Sequence, residues 1–341
     1  MANAASTMSV HSLAVGAEEG ELRLDRWIKR HFPRVTHGRL EKLLRTGQIR
    51  VDGKRVKSGQ RLEPGQLIRI PPGLEDAGGP EARPAKAAKP PLGAADAKLA
   101  QSLVLFKDDD VMALNKPSGL AVQGGTGTGR HLDGMLDALR FGAEERPRLV
   151  HRLDRDTSGV LLLARTVAAA AKLAASFRHK SARKIYWALV AGVPKPARGR
   201  IDLPLAKGSG PRGERVVARD EEEGQRAITL YAVVEAAGDR AAWLVLWPMT
   251  GRTHQLRVHC AEALGTPIVG DRKYGGERAA ITGAPIAPRL HLHARSISLP
   301  HPRGGRLTIK APLSEHMRTS WSFFGFDPEA EVDPFPVESE R

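Results

Sequence analysis

The densest run of reactive side chains is His151-Arg152-Leu153-Asp154-Arg155-Asp156-Thr157-Ser158-Gly159, and it leads directly into an apolar run over residues 160–163. A polar cluster entering a buried strand sets its side chains at a cleft, and a carboxylate kept ionised there can act as a nucleophile. The plainer alternative is a charged turn, with Asp156 or Ser158 as a cap and Asp154 as an ion-pair partner. Tyr186 sits in a strand-like run and on its own reads as a packed aromatic. Arg257 alternates with Leu256 and Val258, so its side chain is expected to face away from theirs, towards solvent.

Periodicity gives the elements that must position these groups. Residues 160–164 form a short continuous apolar run, a buried strand. Residues 103–106 and 111–114 read as strands around the acidic turn Asp108-Asp109-Asp110, and residues 185–190, 228–234 and 243–247 as further strands. Leu132, Met135, Leu136 and Leu139 recur at helical spacing, and residues 167–177 are alanine-rich and helical. Ahead of this body, Leu24, Trp27 and Ile28 mark a first helix. Thr36 is the N-cap of a second helix over residues 39–45, stopped by Gly47. On that helix Leu40, Leu43 and Leu44 share one arc, and Arg39, Lys42 and Arg45 another. Residues 48–51 and 55–56 flank Asp52-Gly53-Lys54, a hairpin signal, and residues 66–70 alternate as a last strand before Pro71-Pro72. Residues 73–98, rich in Gly, Pro and Ala, read as a flexible linker.

Charge narrows the partner. The 341 residues carry 53 Lys plus Arg against 38 Asp plus Glu, a net of +15, which favours a polyanion such as nucleic acid. Residues 21–72 alone hold 14 basic and 5 acidic side chains, a net of +9. No apolar run approaches the roughly 20 residues that span a bilayer. The N-terminus lacks the basic start and apolar core of a signal peptide. The single cysteine, Cys260, excludes an intrachain disulfide framework and suits a reducing cytoplasm. The glycine run from Gly124 to Gly129 has no G-K-[ST] ending and is not read as a phosphate loop. His291, His293 and His301 come without H-E-x-x-H or a cysteine pair, so no metal is expected; in a strand His291 and His293 share one side, which suits an RNA-facing surface. His254 and His259 are expected to serve nucleic-acid contact or hydrogen bonding.

These residues carry a resemblance. The run from His151 to Gly159 is similar to the H-R-L-D-x-x-T-S-G signature of RluA/RluC/RluD-type pseudouridine synthases. In the same order, Asn115-Lys116-Pro117-Ser118-Gly119 resembles the family's N-K-P-x-G motif, and Lys184-Ile185-Tyr186-Trp187-Ala188-Leu189-Val190 its K-x-Y-x-A-L-V strand. The segment from Thr250 to His259 resembles T-G-R-T-H-Q-[IL]-R-V-H, and Leu292-His293-Ala294 with His301-Pro302 the closing L-H-A…H-P pair. The resemblance covers about residues 103–312 and looks nearest to the RluC type, which acts on large-subunit ribosomal RNA. The basic N-terminal module resembles the alpha-L RNA-binding domain. Gln123 stands where RluC-type relatives often have histidine, and Glu21 where relatives often have glycine.

The resemblance implies an α+β catalytic domain with a mixed, largely antiparallel sheet, over residues 99–321. It is preceded by a disordered tail (1–18), a small α+β RNA-binding domain (19–73) and the linker (74–98), and followed by a C-terminal tail (322–341). It implies conversion of uridine to pseudouridine in large-subunit (23S) ribosomal RNA, with neither cofactor nor metal; a monomer is the default expectation, with oligomeric state left open. Asp154 would be the nucleophile, Arg257 the guanidinium that holds it, and Tyr186 the ring against the base. Arg39, Lys42, Arg45, Lys116, Arg152, Arg252 and His254 would contact RNA. A non-catalytic RNA-binding or ribosome-assembly factor on the same fold, and a synthase for transfer RNA, are the alternatives.

Overall fold

Short-range signals shape the N-terminal unit. The computed structural model describes residues 11–74, 93–124, 129–210, 213–220 and 222–335, which fall within two units, Met1–Pro90 and Pro91–Arg341. The first holds strand β1 (His11–Ala14), helices α1 (Leu24–His31) and α2 (His37–Arg45), and strands β2 (Arg50–Val51) and β3 (Leu67–Ile70), with the sheet ordered β1-β3-β2. Thr36 caps α2 by accepting from the Arg39 amide at 3.3 Å, and Gly47, at φ +69°, ends it. Leu40 and Leu44 are buried against Trp27, Ile28, Ile68 and Ile70, which leaves Arg39, Lys42 and Arg45 exposed.

Two expectations for this unit change. Asp52 and Gly53 take the paired positive φ (48° and 73°) of a hairpin turn, but beyond the bridge of Val51 to Lys54 no second strand follows; β2 pairs with β3 instead, which buries Val51. The expected disordered tail is folded from residue 11. Strand β1 pairs along the whole of β3, and the buried Glu19 accepts from Trp27 Nε1 at 2.7 Å and lies 2.8 Å from His31 Nε2. Glu21 adopts φ +68°, a left-handed conformation that costs an L residue about 1–2 kcal/mol, at the position where the resemblance expects glycine.

In the second unit, helix α3 (Ala94–Ser102) takes up the end of the expected linker. Its Ala, Lys, Leu and Gln are strong helix formers, a propensity masked by the neighbouring glycines and prolines. The body then runs β4 (Val104–Lys107), β5 (Val111–Lys116), a 3-10 helix (Leu132–Leu139), β6 (Arg148–Leu149), β7 (Ser158–Ala164), α4 (Val167–Arg178), β8 (Arg183–Ala191) and β9 (Arg198–Asp202). It continues through β10 (Leu205–Gly210), β11 (Gly213–Ala218), β12 (Ile228–Ala237), β13 (Ala241–Pro248), α5 (Gln255–Val258), β14 (Leu292–Pro300), β15 (Arg306–Lys310) and α6 (Glu315–Phe324). Ten strands form one mixed sheet, ordered β4-β5-β7-β14-β8-β13-β12-β9, with β15 on β14 and β6 on β7. Its pairings are antiparallel except β7 with β14, so the expected α+β architecture holds.

Both faces of this sheet are covered, which is why β7 and β8 read as near-continuous apolar runs. On the front, Leu161 and Leu163 pack with Leu132, Met135, Leu136 and Leu139. On the back, Val160 and Leu162 meet Ala169 and Leu173 of α4. Further along the back, Trp187, Trp243 and Trp321 of α6 pack ring against ring, with Phe326 and Phe335 beside them. The expected C-terminal tail is thus part of this core to residue 335, held also by Arg183, which donates to Asp333 and to the Phe335 carbonyl. Among the described residues no helix is long and apolar enough to cross a membrane.

Candidate active site

Asp154 lies in the loop that feeds β7, and the register of that strand fixes the loop. Gly159 pairs with Ala294 across the parallel β7–β14 contact at φ +108°, and a Cβ there would stand 2.2 Å from the Ala294 carbonyl oxygen. Only glycine allows this approach. Ser158, beside it, places Oγ 2.8 Å from His293 Nδ1. At the other end of the loop His151 accepts the Leu162 amide at 2.8 Å and stacks on Phe177. Burial drives the His151 pKa down to about 3, so it is a neutral acceptor.

The segment from Lys116 to Gly119 clamps the same loop from β5. Lys116, expected to contact RNA, is fully buried and is not available to a phosphate. Its ammonium donates to the carbonyls of Pro117, Leu120 and Arg155, each at 2.9 Å. Ser118 Oγ donates to the Asp156 carbonyl at 2.8 Å, and the Gly119 amide to the Arg155 carbonyl at 2.9 Å. Burial lowers the Lys116 pKa to about 7 against the opposing pull of Asp156 and Asp154.

The third wall is α5 and the π turn His259–Ala263 that continues it. This segment is helical, which corrects the strand reading of Arg257; an alternation only three residues long fits either period. Gln255 anchors it by donating to the Ile228 carbonyl at 2.9 Å and accepting from Thr250 Oγ1 at 2.7 Å. Arg257 is nearly buried, and Nε and one terminal nitrogen donate to the two oxygens of Asp271 at 2.7 Å each. Arg257 therefore pairs with Asp271 and acts on Asp154 only as a nearby charge. Gly270 allows this placement, because a Cβ there would stand 1.9 Å from the Arg289 carbonyl oxygen. His254, at the start of α5 with φ +54°, lies 3.9 Å from Asp154 Oδ2 through Nε2 and 2.7 Å from the Tyr274 hydroxyl through Nδ1.

Two hollows meet at Asp154. The larger, about 1120 Å³, is walled by Arg152, Arg155, Arg215, Arg257, Arg272 and Arg289. The second, about 570 Å³, runs past Tyr186, Leu256, Leu292 and Met249 to Lys184 and Arg252. Tyr186 faces forward from β8 at the seam of the two front clusters. Burial and the Asp154 charge raise its pKa, so at neutral pH it is a phenol and not a phenolate. The arrangement sets the Asp154 carboxyl group between an aromatic ring and a trough lined with arginines.

Arg152, Asp154, Tyr186, Arg252, His254 and Arg257 line this common space, while Arg39, Lys42 and Arg45 belong to the other unit. His259, His291 and His293 are fully buried, which overturns the RNA-facing reading of the last two. Each is satisfied internally, His259 by Thr229, His291 by Ser320 and His293 by Ser158. Residues 125–128 of the glycine run lie outside the described residues. Sequence reading missed Asp271 and Tyr274, for which a polar run between glycines, Gly270-Asp271-Arg272-Lys273-Tyr274-Gly275, was the available signal, and it gave Lys184 no role of its own. Among the described residues no group of three His, Cys, Asp or Glu side chains is placed to hold a metal.

Known proteins share this arrangement of sequence and fold. Residues 110–262 match the family model for RNA pseudouridylate synthase, and residues 22–68 that for the S4 domain. The chain is 39% identical to RNA pseudouridine synthase 4, mitochondrial, of Arabidopsis thaliana, over 87% of this chain and 78% of that protein. It is 38% identical to ribosomal large subunit pseudouridine synthase C of Escherichia coli, over 92% of this chain and 96% of that protein. Among solved structures, human RNA pseudouridylate synthase domain containing 4 superposes with a TM-score of 0.57 at 29% identity, covering 68% of this chain and 97% of that one.

Proposed function

The chain belongs to the RNA pseudouridylate synthase family, and on that premise we propose that it isomerises uridines in large-subunit ribosomal RNA with Asp154 as nucleophile. The observation that carries this reading is the position of Asp154 at the meeting of an aromatic-walled hollow and a trough of arginines. The extruded uridine enters past Tyr186, and its flanking phosphates lie along Arg152, Arg155 and Arg272. The Asp154 carboxylate adds to the nucleoside, and the N1 glycosidic bond breaks. The uracil turns in the pocket and rejoins C1′ through C5, and the bond between Asp154 and the nucleoside breaks, which releases the carboxylate. The C5 proton is lost and N1 gains one, so atoms balance without redox change, and the scheme needs no cofactor. Tyr186, a neutral phenol at the working pH, packs on the base. The RluC-type relatives named for the large ribosomal subunit favour that RNA as substrate, and the S4 match gives the chain a second RNA-binding unit.

The test is pseudouridine mapping of unmodified large-subunit ribosomal RNA after incubation with the intact protein or with Asp154→Ala. New pseudouridines from the intact protein alone support the assignment. Product from Asp154→Ala removes the nucleophile. Product only on transfer RNA moves the substrate, and RNA binding without product on any RNA makes the protein a binding factor.

A further inference from the structure

The His254 ring is oriented by a chain of hydrogen bonds. The Val216 amide donates to the Tyr274 hydroxyl oxygen at 3.2 Å, and that oxygen lies 2.7 Å from His254 Nδ1. Tyr274 is buried, and a buried hydroxyl proton left without an acceptor costs about 1–3 kcal/mol. Among the described residues the acceptor within its reach is His254 Nδ1. The Tyr274 proton therefore points at Nδ1, and the imidazole proton sits on Nε2, the nitrogen that faces Asp154 Oδ2 at 3.9 Å. The backbone supports the same direction. His254 is held at φ +54°, and strain of this kind persists where surrounding structure over-determines a position. Arg257 donates Nε and one terminal nitrogen to Asp271, and among the described residues no hydrogen bond runs from it to Asp154.

Building on the reading of Asp154 as nucleophile, we propose that His254 is a positioning residue. Tyr274 fixes it as a neutral Nε2–H donor that closes on Asp154 Oδ2 when the nucleotide fills the pocket and holds the carboxylate in its attacking orientation. A contact that is long in the empty site and tightens on substrate entry is common in enzymes. Burial favours the neutral ring, Asp154 and Asp271 oppose that effect, and Arg257 and Lys273 reinforce it.

Two measurements on the full chain test this. Histidine-selective 15N labelling reads the tautomer directly. The expected state of His254 at pH 7 is neutral with the proton on Nε2; an Nδ1–H tautomer or an imidazolium overturns the proposal. Single-turnover rates and RNA affinity are then compared across variants. Tyr274→Phe is expected to slow the step roughly tenfold or more at unchanged RNA affinity, since misplacement of a reacting group by about 1 Å can cost on the order of a hundredfold. An unchanged rate overturns the proposal. Should Tyr274→Phe fail to fold, His254→Gln against His254→Leu decides. The amide of Gln can accept from Tyr274 and donate to Asp154, so Gln is expected to retain activity that Leu loses; equal losses overturn it. Failure of the intact protein to modify any RNA defeats the nucleophile assignment instead, and leaves the tautomer readout standing.

Discussion

On α2, Arg39, Lys42 and Arg45 project into solvent from the side opposite Leu40 and Leu44, whereas in the cleft Lys116 and Arg257 are sunk against fixed acceptors. The first set is exposed, with Arg39 also donating to the Gly73 carbonyl at 3.1 Å, and such charges on a row of phosphates each add a similar increment. The second set organises protein. Lys116 ties the Asp154 loop to β5, and Arg257 ties α5 to the loop at Asp271. Cationic residues in one chain thus fall into two classes, those exposed on α2 and those buried where they fix the walls of the cleft. Burial, not residue type, separates them.

Substitutions that treat the two regions alike sharpen or break this comparison. The largest effect is expected from Asp271→Ala. It strands the buried Arg257, at a cost of about 3–5 kcal/mol to the catalytic unit, measured by denaturant unfolding. A loss no larger than that of a surface ion pair would place Arg257 in the solvated class. Lys116→Met comes next. It leaves carbonyls around the Asp154 loop unsatisfied, at about 1–3 kcal/mol each where water does not replace the ammonium, and is expected to slow catalysis while RNA affinity holds. An affinity loss at normal rate would return Lys116 to the RNA surface.

Acid response separates the units as well. His151 and His293 are held by burial at pKa values of about 3, and His259 and His291 at about 4, all below the ordinary 6.5. Between these values and 6.5 the unfolded chain binds protons that the folded chain does not. Stability of the catalytic unit therefore falls with pH through that window, by about 1.4 kcal/mol per pH unit for each histidine. In the N-terminal unit burial raises the Glu19 carboxyl, but hydrogen bonds from His31, Trp27 and the Gly16 amide outweigh it, and its pKa lies below 4.5. Its contribution is present above 4.5 and lost only as pH falls through that lower value. Hydrogen exchange on the full chain, stepped from pH 7 to 4, is expected to show the sheet opening first. The reverse order would sink this account.

Smaller effects belong to the exposed side. The triple alanine variant of Arg39, Lys42 and Arg45 is expected to weaken RNA binding and flatten the logarithmic salt slope by about 2–3 units if all three meet phosphates. An unchanged slope would remove α2 from the interface. Glu21→Gly is expected to stabilise its unit by no more than about 1 kcal/mol, because relief of left-handed strain is offset by the freer unfolded chain.

Much of this was legible where a pattern was local. The apolar run of β7, the alanine-rich α4, the Thr36 cap and the Asp52-Gly53 turn each follow from a few neighbouring residues. Four features were not. Lys116 reads as a surface cation because the turn that supplies two of its acceptors shows no burial signal and the third, the Arg155 carbonyl, lies 39 residues away. The burial of His291 and His293 depends on Ser320 and Ser158, far away in sequence. Asp271 and Tyr274 reach the cleft through an irregular segment with no period to detect. The fold of residues 326–335 over the back of the sheet comes from Phe326 and Phe335, with Ala330 and Val332 packed beside them, spaced without a period among acidic residues and prolines.

Strand β14 lies between β7 and β8 in the middle of the sheet, though it comes near the end of the chain. On a ribosome the N-terminal unit, built from neighbours in sequence, can fold while the rest is still being made. The sheet cannot close until β14 emerges. A nascent chain that already contains Asp154, Tyr186 and Arg257 therefore has no assembled cleft, and long-range pairing of this kind is slow to form. Synthesis order thus delays the chemistry: the growing chain can hold RNA before it can modify it.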